Sequence, residues 1–322
     1  ATVRTVVVDT DASMNPNYPS LSQALVGEAG TLTEPLVIRA RASSGVVDTT
    51  KAYVSGITTS TNADLTIIFE EGYVLDVTAT ADYAYAVKII SDHVTLAGEG
   101  GKIKVRNAGY KNMSGVYSGH SHTNSAKVVI KNLWFEGDMS DRKPNFGIWA
   151  KSNNSIHVIQ NNVLTGFLGD YSYGIYMKKE AYIYNNTMVM NEIGLKWITP
   201  TGELYNNLTT FSANTDYNYW KGWGDLQTGN NITSDSTGPD EAFDNQTLKL
   251  LNKLDNDFSL HPDDVMAIDQ GKDLSQHLHA QSYDFDSVER TGAWDIGAYQ
   301  FDIPTYDLDG DAMPDRWEKT YQ

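Results

Sequence analysis

The sequence predicts an all-β chain wound into a parallel solenoid and closed at its N-terminal end by one short helix. Three observations carry that expectation. Short β-like segments recur from about residue 65 onward, at 65–69, 87–90, 94–96, 103–105, 128–130, 156–159 and 182–184, and each ends near Gly, Asn or Asp. Asn-Asn pairs at Asn161-Asn162, Asn185-Asn186, Asn206-Asn207 and Asn230-Asn231 begin 24, 21 and 24 residues apart, with a weaker precursor at Lys131-Asn132-Leu133. A second register, Gly147-Ile148-Trp149-Ala150-Lys151, Gly174-Ile175-Tyr176-Met177-Lys178 and Gly194-Leu195-Lys196-Trp197-Ile198, keeps step with the first at spacings of 27 and 20. A period of that length fits one coil of three short strands and their turns, and coils stacked about 4.8 Å apart pair every backbone group with a neighbour. Asn tolerates left-handed backbone and bonds along a stack, so it suits the sharp turn of each coil.

The N-terminal elements follow the same reasoning. Val3, Val6, Val7 and Val8 make an opening strand, and Pro16 and Pro19 punctuate a turn-rich stretch. Ser20 with Gln23 three residues on has the form of a capping box, and Leu21, Ala24, Leu25 and Ala29 recur at helical spacing as far as Gly30. An amphipathic helix ahead of a long β region suits a lid over the open end of the stack, because an uncovered edge invites aggregation. The expected organisation is a strand and capping helix over 1–50, the solenoid with its closing segment over 51–300, and a C-terminal linker over 301–322.

Composition narrows the function. The chain has 41 acidic and 24 basic residues, a formal charge of −17, which argues against a nucleic-acid partner because that affinity comes from Lys and Arg neutralising phosphates. Without cysteine, disulfides, thiolate metal sites and cysteine nucleophiles are excluded. No run approaches the roughly 18 apolar residues of a membrane span. The opening Ala1-Thr2-Val3-Arg4 lacks the charged-then-apolar pattern of a signal peptide and reads as the mature end left by cleavage of a secreted protein.

The Ile-x-x-Asn-Asn-type repeat and its turn ladder resemble the right-handed parallel β-helix repeats of pectate-lyase-like proteins, over about residues 50–235. That resemblance implies fold more firmly than activity, since lyases, hydrolases, epimerases, phage spikes and adhesins share it. The tail Ala267-Ile268-Asp269-Gln270-Gly271, with Gly292-Ala293-Trp294-Asp295-Ile296-Gly297-Ala298-Tyr299, resembles the closing segment of secreted microbial β-helix proteins.

The sharpest chemical motif is Asp307-Leu308-Asp309-Gly310-Asp311-Ala312-Met313-Pro314-Asp315-Arg316-Trp317-Glu318. Counted from Asp307, carboxylates fall at positions 1, 3, 5, 9 and 12, the order of oxygen ligands in an EF-hand calcium loop, with the Met313 carbonyl at position 7. The segment also resembles the Asp-rich calcium linkers of thrombospondin type 3 repeats. Ala312 stands where an EF-hand loop has Gly, which weakens the expected Ca2+ site without removing it, and a structural role needs only charge neutralisation.

Candidate ligand contacts come from strand alternation. If Ile148 and Ile175 point inward, Trp149 and Lys151, and Tyr176 and Lys178, stack outward on adjacent coils, and Lys196 continues the file. Rings beside ammonium groups suit an acidic polysaccharide. A lyase would need a basic residue as catalytic base, and Lys151, Lys178 and, in a charged loop with Asp138, Asp141 and Lys143, Arg142 are the candidates. The Asp constellations of polygalacturonases and the lyase Arg-x-Pro-x-x-Arg pattern are both missing. His120 and His122 form a weak metal or acid–base pair, and Tyr217, Tyr219, Trp220 and Trp223 form an aromatic cluster suited to a neighbour or a lid. Sequons occur at Asn112, Asn153, Asn185, Asn207, Asn231 and Asn245. The expectation is a secreted structural or adhesive β-helix of a surface, filament or matrix, with extracellular polysaccharide or identical subunits as partners. The alternative is a lyase or related enzyme acting on an acidic polysaccharide.

Overall fold

The computed structural model describes residues 2–301 other than 15, 108, 111, 120–125, 139–144, 153, 220–224, 253–256 and 262–263. Three parallel sheets carry the fold. Sheet one has nine strands: Arg4–Asp9, Leu36–Arg41, Leu65–Glu70, Val94–Glu99, Ala126–Lys131, Ser155–Gln160, Glu180–Tyr184, Thr201–Tyr205 and Leu226–Gly229. Sheet two has seven: Val74–Thr78, Lys102–Arg106, Trp134–Gly137, Val163–Thr165, Thr187–Val189, Leu208–Thr210 and Ile232–Thr233. Sheet three also has seven: Ala52–Val54, Tyr85–Ile89, Met113–Ser118, Asn145–Ala150, Tyr173–Met177, Ile193–Trp197 and Thr215–Tyr219. The chain visits the three in turn and each strand pairs in parallel with its counterpart one coil away, which is a parallel β-helix. Pairing begins at once, with Arg4–Asp9 in register against Leu36–Arg41.

Alternation fills the interior. In Leu65–Glu70 the residues Leu65, Ile67 and Phe69 are fully buried while Thr66, Ile68 and Glu70 face outward. Register then stacks like on like: Ile38, Ile67, Leu96, Ile130, Ile159, Ile183 and Leu204 form one inward column. Burial of each such side chain stabilises by roughly 1.5–3 kcal/mol relative to exposure.

The corner between sheets one and two is built by the Asn pairs. Asn132, Asn161, Asn185, Asn206 and Asn230 all adopt left-handed backbone, with φ between 51° and 57°. The second Asn of each pair points inward and is completely buried. Asn162 donates both its backbone N–H and its Nδ2 to Asn186 Oδ1 (3.0 and 3.0 Å), Asn186 does the same to Asn207 (3.0 and 2.9 Å), and Asn207 to Asn231 (3.0 and 2.9 Å). The other Nδ2 hydrogen of each goes to a main-chain carbonyl of the preceding coil. A buried amide is thereby satisfied in full, which is what keeps it from destabilising the core.

Both ends are covered. The helix α1 (Leu21–Gly27) is capped by Ser20, whose Oγ accepts from Gln23 N, and it buries Leu21, Ala24 and Leu25 against the first coils. Asp48 fastens it: Oδ2 accepts the Leu21 N–H (3.0 Å) and the Tyr73 hydroxyl (2.7 Å), and Oδ1 accepts from Thr50. At the other end, among the described residues, no further coil pairs with the last strands, and side chains of residues 234–240 accept their N–H groups. Asp235 takes Asp216 N (2.9 Å), Thr237 Oγ1 takes Tyr217 N (2.9 Å), and Asp240 takes Asn231 N (3.0 Å).

The described residues from 248 to 301 fold back as a strap over the outside. Phe258, Leu260, Ala267, Ile296, Ala298 and Tyr299 pack on the outward residues Trp134, Val163, Leu208 and Ile232 of sheet two. The first Asn of several corner pairs holds the strap by its main chain: Asn161 Nδ2 donates to Tyr283 O (2.5 Å), Asn206 to Lys272 O (2.8 Å) and Asn230 to Gln270 O (2.6 Å).

Candidate ligand-binding face on the third sheet

The inward column of sheet three contains Val87, Val116, Ile148, Ile175 and Leu195, all fully buried, so the alternate positions face outward. The register then gives one outward file across the coils: Tyr53, Lys88, Tyr117, Trp149, Tyr176, Lys196 and Asn218. Trp149, Tyr176 and Lys196 fall in the order the sequence expects. Lys151 and Lys178 lie just past the ends of their strands, each with its N–H bonded to the coil before.

A second group of outward rings joins this file, and the sequence reading missed it. Tyr85, Phe146 and Tyr173 precede the inward column by two residues, with Ala86, Gly147 and Gly174 intervening. Gly115, Gly147, Gly174 and Gly194 lie so close from coil to coil that a Cβ on Gly147 would meet Gly174 O at 2.6 Å. That close approach lets the residues on both sides of the glycine–aliphatic pair turn outward. The signal was present as an aromatic immediately before the repeating glycine, in Phe146-Gly147 and Tyr173-Gly174.

The rings pack on one another. Tyr85 stacks on Tyr117 (centroids 4.4 Å apart), Phe146 stacks on Trp149 (4.6 Å) and on Tyr173 (5.6 Å), and Tyr176 meets both Trp149 and Tyr173 edge to face. Trp149 therefore stands on the outward side but is only 6% exposed, its faces already taken by neighbours. The ammonium of Lys151 sits 5.0 Å from the Trp149 ring centroid and that of Lys88 5.7 Å from Tyr85. Burial, then the neighbouring phenols of Tyr117, Tyr53 and Tyr83, push Tyr85 up to about 12, so it stays neutral. Burial holds the Lys196 ammonium below its ordinary range, and its Nζ donates to Asn218 Oδ1.

Charge is segregated on this surface. Among the residues of the seven strands of sheet three, Lys88 and Lys196 are the only outward charges and Asp216, the sole acid, is buried. Sheet one by contrast carries Arg39 bonded to Glu70 and Glu99, and sheet two carries Asp76 bonded to Arg106 (2.6 Å) and Lys104 to Glu136 (3.0 Å).

Other candidates separate. Arg142, Asp141, Lys143, His120, His122, Trp220, Trp223 and the whole calcium motif with Asp307, Asp309, Asp311, Met313, Asp315 and Glu318 lie outside the described residues. Asp138 follows Trp134–Gly137 on sheet two, away from the lysine file. Tyr217 is a core residue, 2% exposed. Asn185, Asn207 and Asn231 are completely buried in the corner, so the folded chain presents none of these three sequons to a glycan. A polar cluster unforeseen from sequence joins the strap to sheet one: His277 Nδ1–H and the Tyr184 hydroxyl both donate to Glu203 Oε2 at 2.6 Å, and Lys272 lies 3.9 Å over the Tyr205 ring. Burial pushes the Glu203 carboxyl up, but the hydrogen bonds from Tyr184 and His277 outweigh it and hold the group below the usual carboxylate value.

The fold and this face define a parallel β-helix protein with a lysine-bearing aromatic flank. No protein-family model matches the chain, and no curated protein does. Among solved structures, the crystal structure of pectate lyase Pel9A is similar at a TM-score of 0.37 and 15% identity, covering 94% of this chain and 97% of that one. The fold assignment rests on the strand ladder described above.

Proposed function

We propose that the chain is a secreted structural or adhesive β-helix of an extracellular surface or matrix, stabilised by calcium at its C-terminal segment, and that sheet three binds an acidic polysaccharide. One observation carries the reading: on a chain of charge −17, the outward strand positions of one long sheet bear lysines and rings and no carboxylate. Such a face attracts a polyanion while the rest of the surface repels it, and the repulsion confers specificity as well as solubility. With both ends of the solenoid covered by their own chain, contacts between identical subunits fall on its sides. A lyase on the same polymer is the second reading, favoured by Lys196, whose ammonium burial makes easier to deprotonate than an exposed lysine.

The test is a panel of uronic-acid polymers, with neutral polysaccharides as controls and with and without calcium, followed both for binding and for unsaturated products. Salt-sensitive binding of the acidic polymers without product formation is expected. Equal binding of neutral polymers would sink the electrostatic reading, and unsaturated products would replace adhesion by catalysis.

A further inference from the structure

Resting on that reading of sheet three, we infer that Tyr83 and Tyr171 are a matched pair of aromatic platforms on which sugar rings of one extended acidic polysaccharide chain stack. The two stand in the same local sequence, Asp82-Tyr83-Ala84-Tyr85 and Asp170-Tyr171-Ser172-Tyr173, at the turn that leads into sheet three. In both copies the third residue is buried, Ala84 at 4% and Ser172 at 0%, and the fourth joins the outward aromatic cluster. The second residue does neither. Tyr83 is 57% exposed and Tyr171 74%.

Their backbone makes the choice of tyrosine informative. Tyr83 has φ +61° and Tyr171 φ +62°, the left-handed region that turns ordinarily give to Gly or Asn, as the corner at Asn132, Asn161, Asn185, Asn206 and Asn230 does here. A bulky side chain there is strained, and an exposed one gains nothing from packing to offset the strain; such outliers cluster where a ligand is held. The strand after Tyr171 lies three coils beyond the strand after Tyr83, about 14 Å along the axis at about 4.8 Å per coil. That exceeds one sugar ring, so the two platforms can act together only on a polymer lying along the sheet. On the coils they span, Lys88, Tyr117, Trp149 and Lys151 face outward further along the strands. The buried rings form a rigid floor, the lysines meet carboxylates, and the exposed tyrosines supply the apolar faces that the floor, packed against itself, cannot.

The experiment measures affinity for a polyuronate, and for its monomeric uronic acid, across a salt series in three proteins: wild type, Tyr83→Gly/Tyr171→Gly, and Tyr83→Phe/Tyr171→Phe. Glycine relieves the left-handed strain, so the first double variant should melt no lower than wild type while binding the polymer about tenfold or more weakly. Its salt dependence should be unchanged, since no charge is removed. The phenylalanine variant should bind as wild type does. Undiminished binding in the glycine variant, with binding lost in Lys88→Ala/Lys151→Ala, overturns the platforms and leaves the lysine face standing. Absence of polyuronate binding in wild type overturns both. An equal loss in the phenylalanine variant overturns stacking in favour of hydrogen bonding by the phenols. A change in sedimentation rather than in sugar binding overturns the polysaccharide in favour of a second copy of the chain.

Discussion

Asp240 Oδ2 accepts both the backbone N–H and the side-chain Nδ2 of Asn231, at 3.0 and 2.7 Å. In the three coils before it that double acceptor is the Oδ1 of the next Asn, so a carboxylate from the C-terminal cap stands where the described residues supply no further Asn. Replacing Asp240 by Ala leaves two donors at a buried corner without a partner and should cost about 1–3 kcal/mol for each group left unsatisfied. Asp240→Asn keeps an acceptor oxygen and should cost less. Urea denaturation of the two variants measures the difference, and equal midpoints would mean that the ladder does not depend on its terminal acceptor.

Gly147→Ala is expected to be worse than its size implies. The added Cβ would lie 2.6 Å from Gly174 O and 2.7 Å from Leu164 Cδ2, both in the next coil. The coil spacing must open locally, at a cost of about 1–3 kcal/mol, and the rings on both sides of the glycine must shift. The melting temperature should fall and the near-UV circular dichroism of the aromatic cluster should change together. A variant that kept both signals would show that the glycine column does not set the ring packing.

Acid should loosen the strap before it unfolds the solenoid. His279 is half-buried against Tyr182, with ring centroids 4.4 Å apart, and burial followed by the charge of Lys127 holds its imidazole below 6.5. As pH falls through 6.5 the unfolded chain takes up this proton first, so native stability drops from there downward. Glu203, held below 4.5, adds a contribution that is present above that value and lost as pH falls through its lower native pKa. Hydrogen exchange of residues 271–284 across the pH range should show the faster opening, and His279→Gln should remove its upper part.

The proposed calcium segment gives a prediction independent of the sugar face. Five carboxylates spaced as in Asp307, Asp309, Asp311, Asp315 and Glu318 repel one another until a cation gathers them. Calcium should protect the C-terminal segment from proteolysis, and Glu318→Gln should weaken binding while leaving the melting of the β-helix unchanged. No binding at millimolar calcium, in the whole protein or in the isolated segment, would reject the assignment.

Much of this molecule is written in local pattern. The Asn pairs announce a corner because a left-handed turn and a stack explain an Asn at that position in five successive coils. Leu21, Ala24 and Leu25 announce a helix with one buried face, and Ile148 and Ile175 fix which neighbours face outward. Those are properties of residues close in the chain, governed by backbone geometry and a period of two or of one coil.

Other features depend on what lies alongside, and sequence order does not carry that. Trp149 faces outward as alternation requires, yet Phe146 stacks on it and Tyr117 and Tyr176 meet it edge on, because the coils bring their rings together. Glu203 meets His277 across the strap, and Asp240 completes a ladder begun at Leu133, whose N–H donates to Asn162 Oδ1 (3.1 Å). The sequence by itself determined the repeat, the corner and the file of outward side chains that simple alternation sets, since these follow from local torsions and a period of two. Only the tertiary structure decided which outward rings are spent on one another, which lysines share a sheet whose outward strand positions lack acids, and where the strap closes, since burial and electrostatic neighbourhood arise between segments that the solenoid and its returning chain bring together.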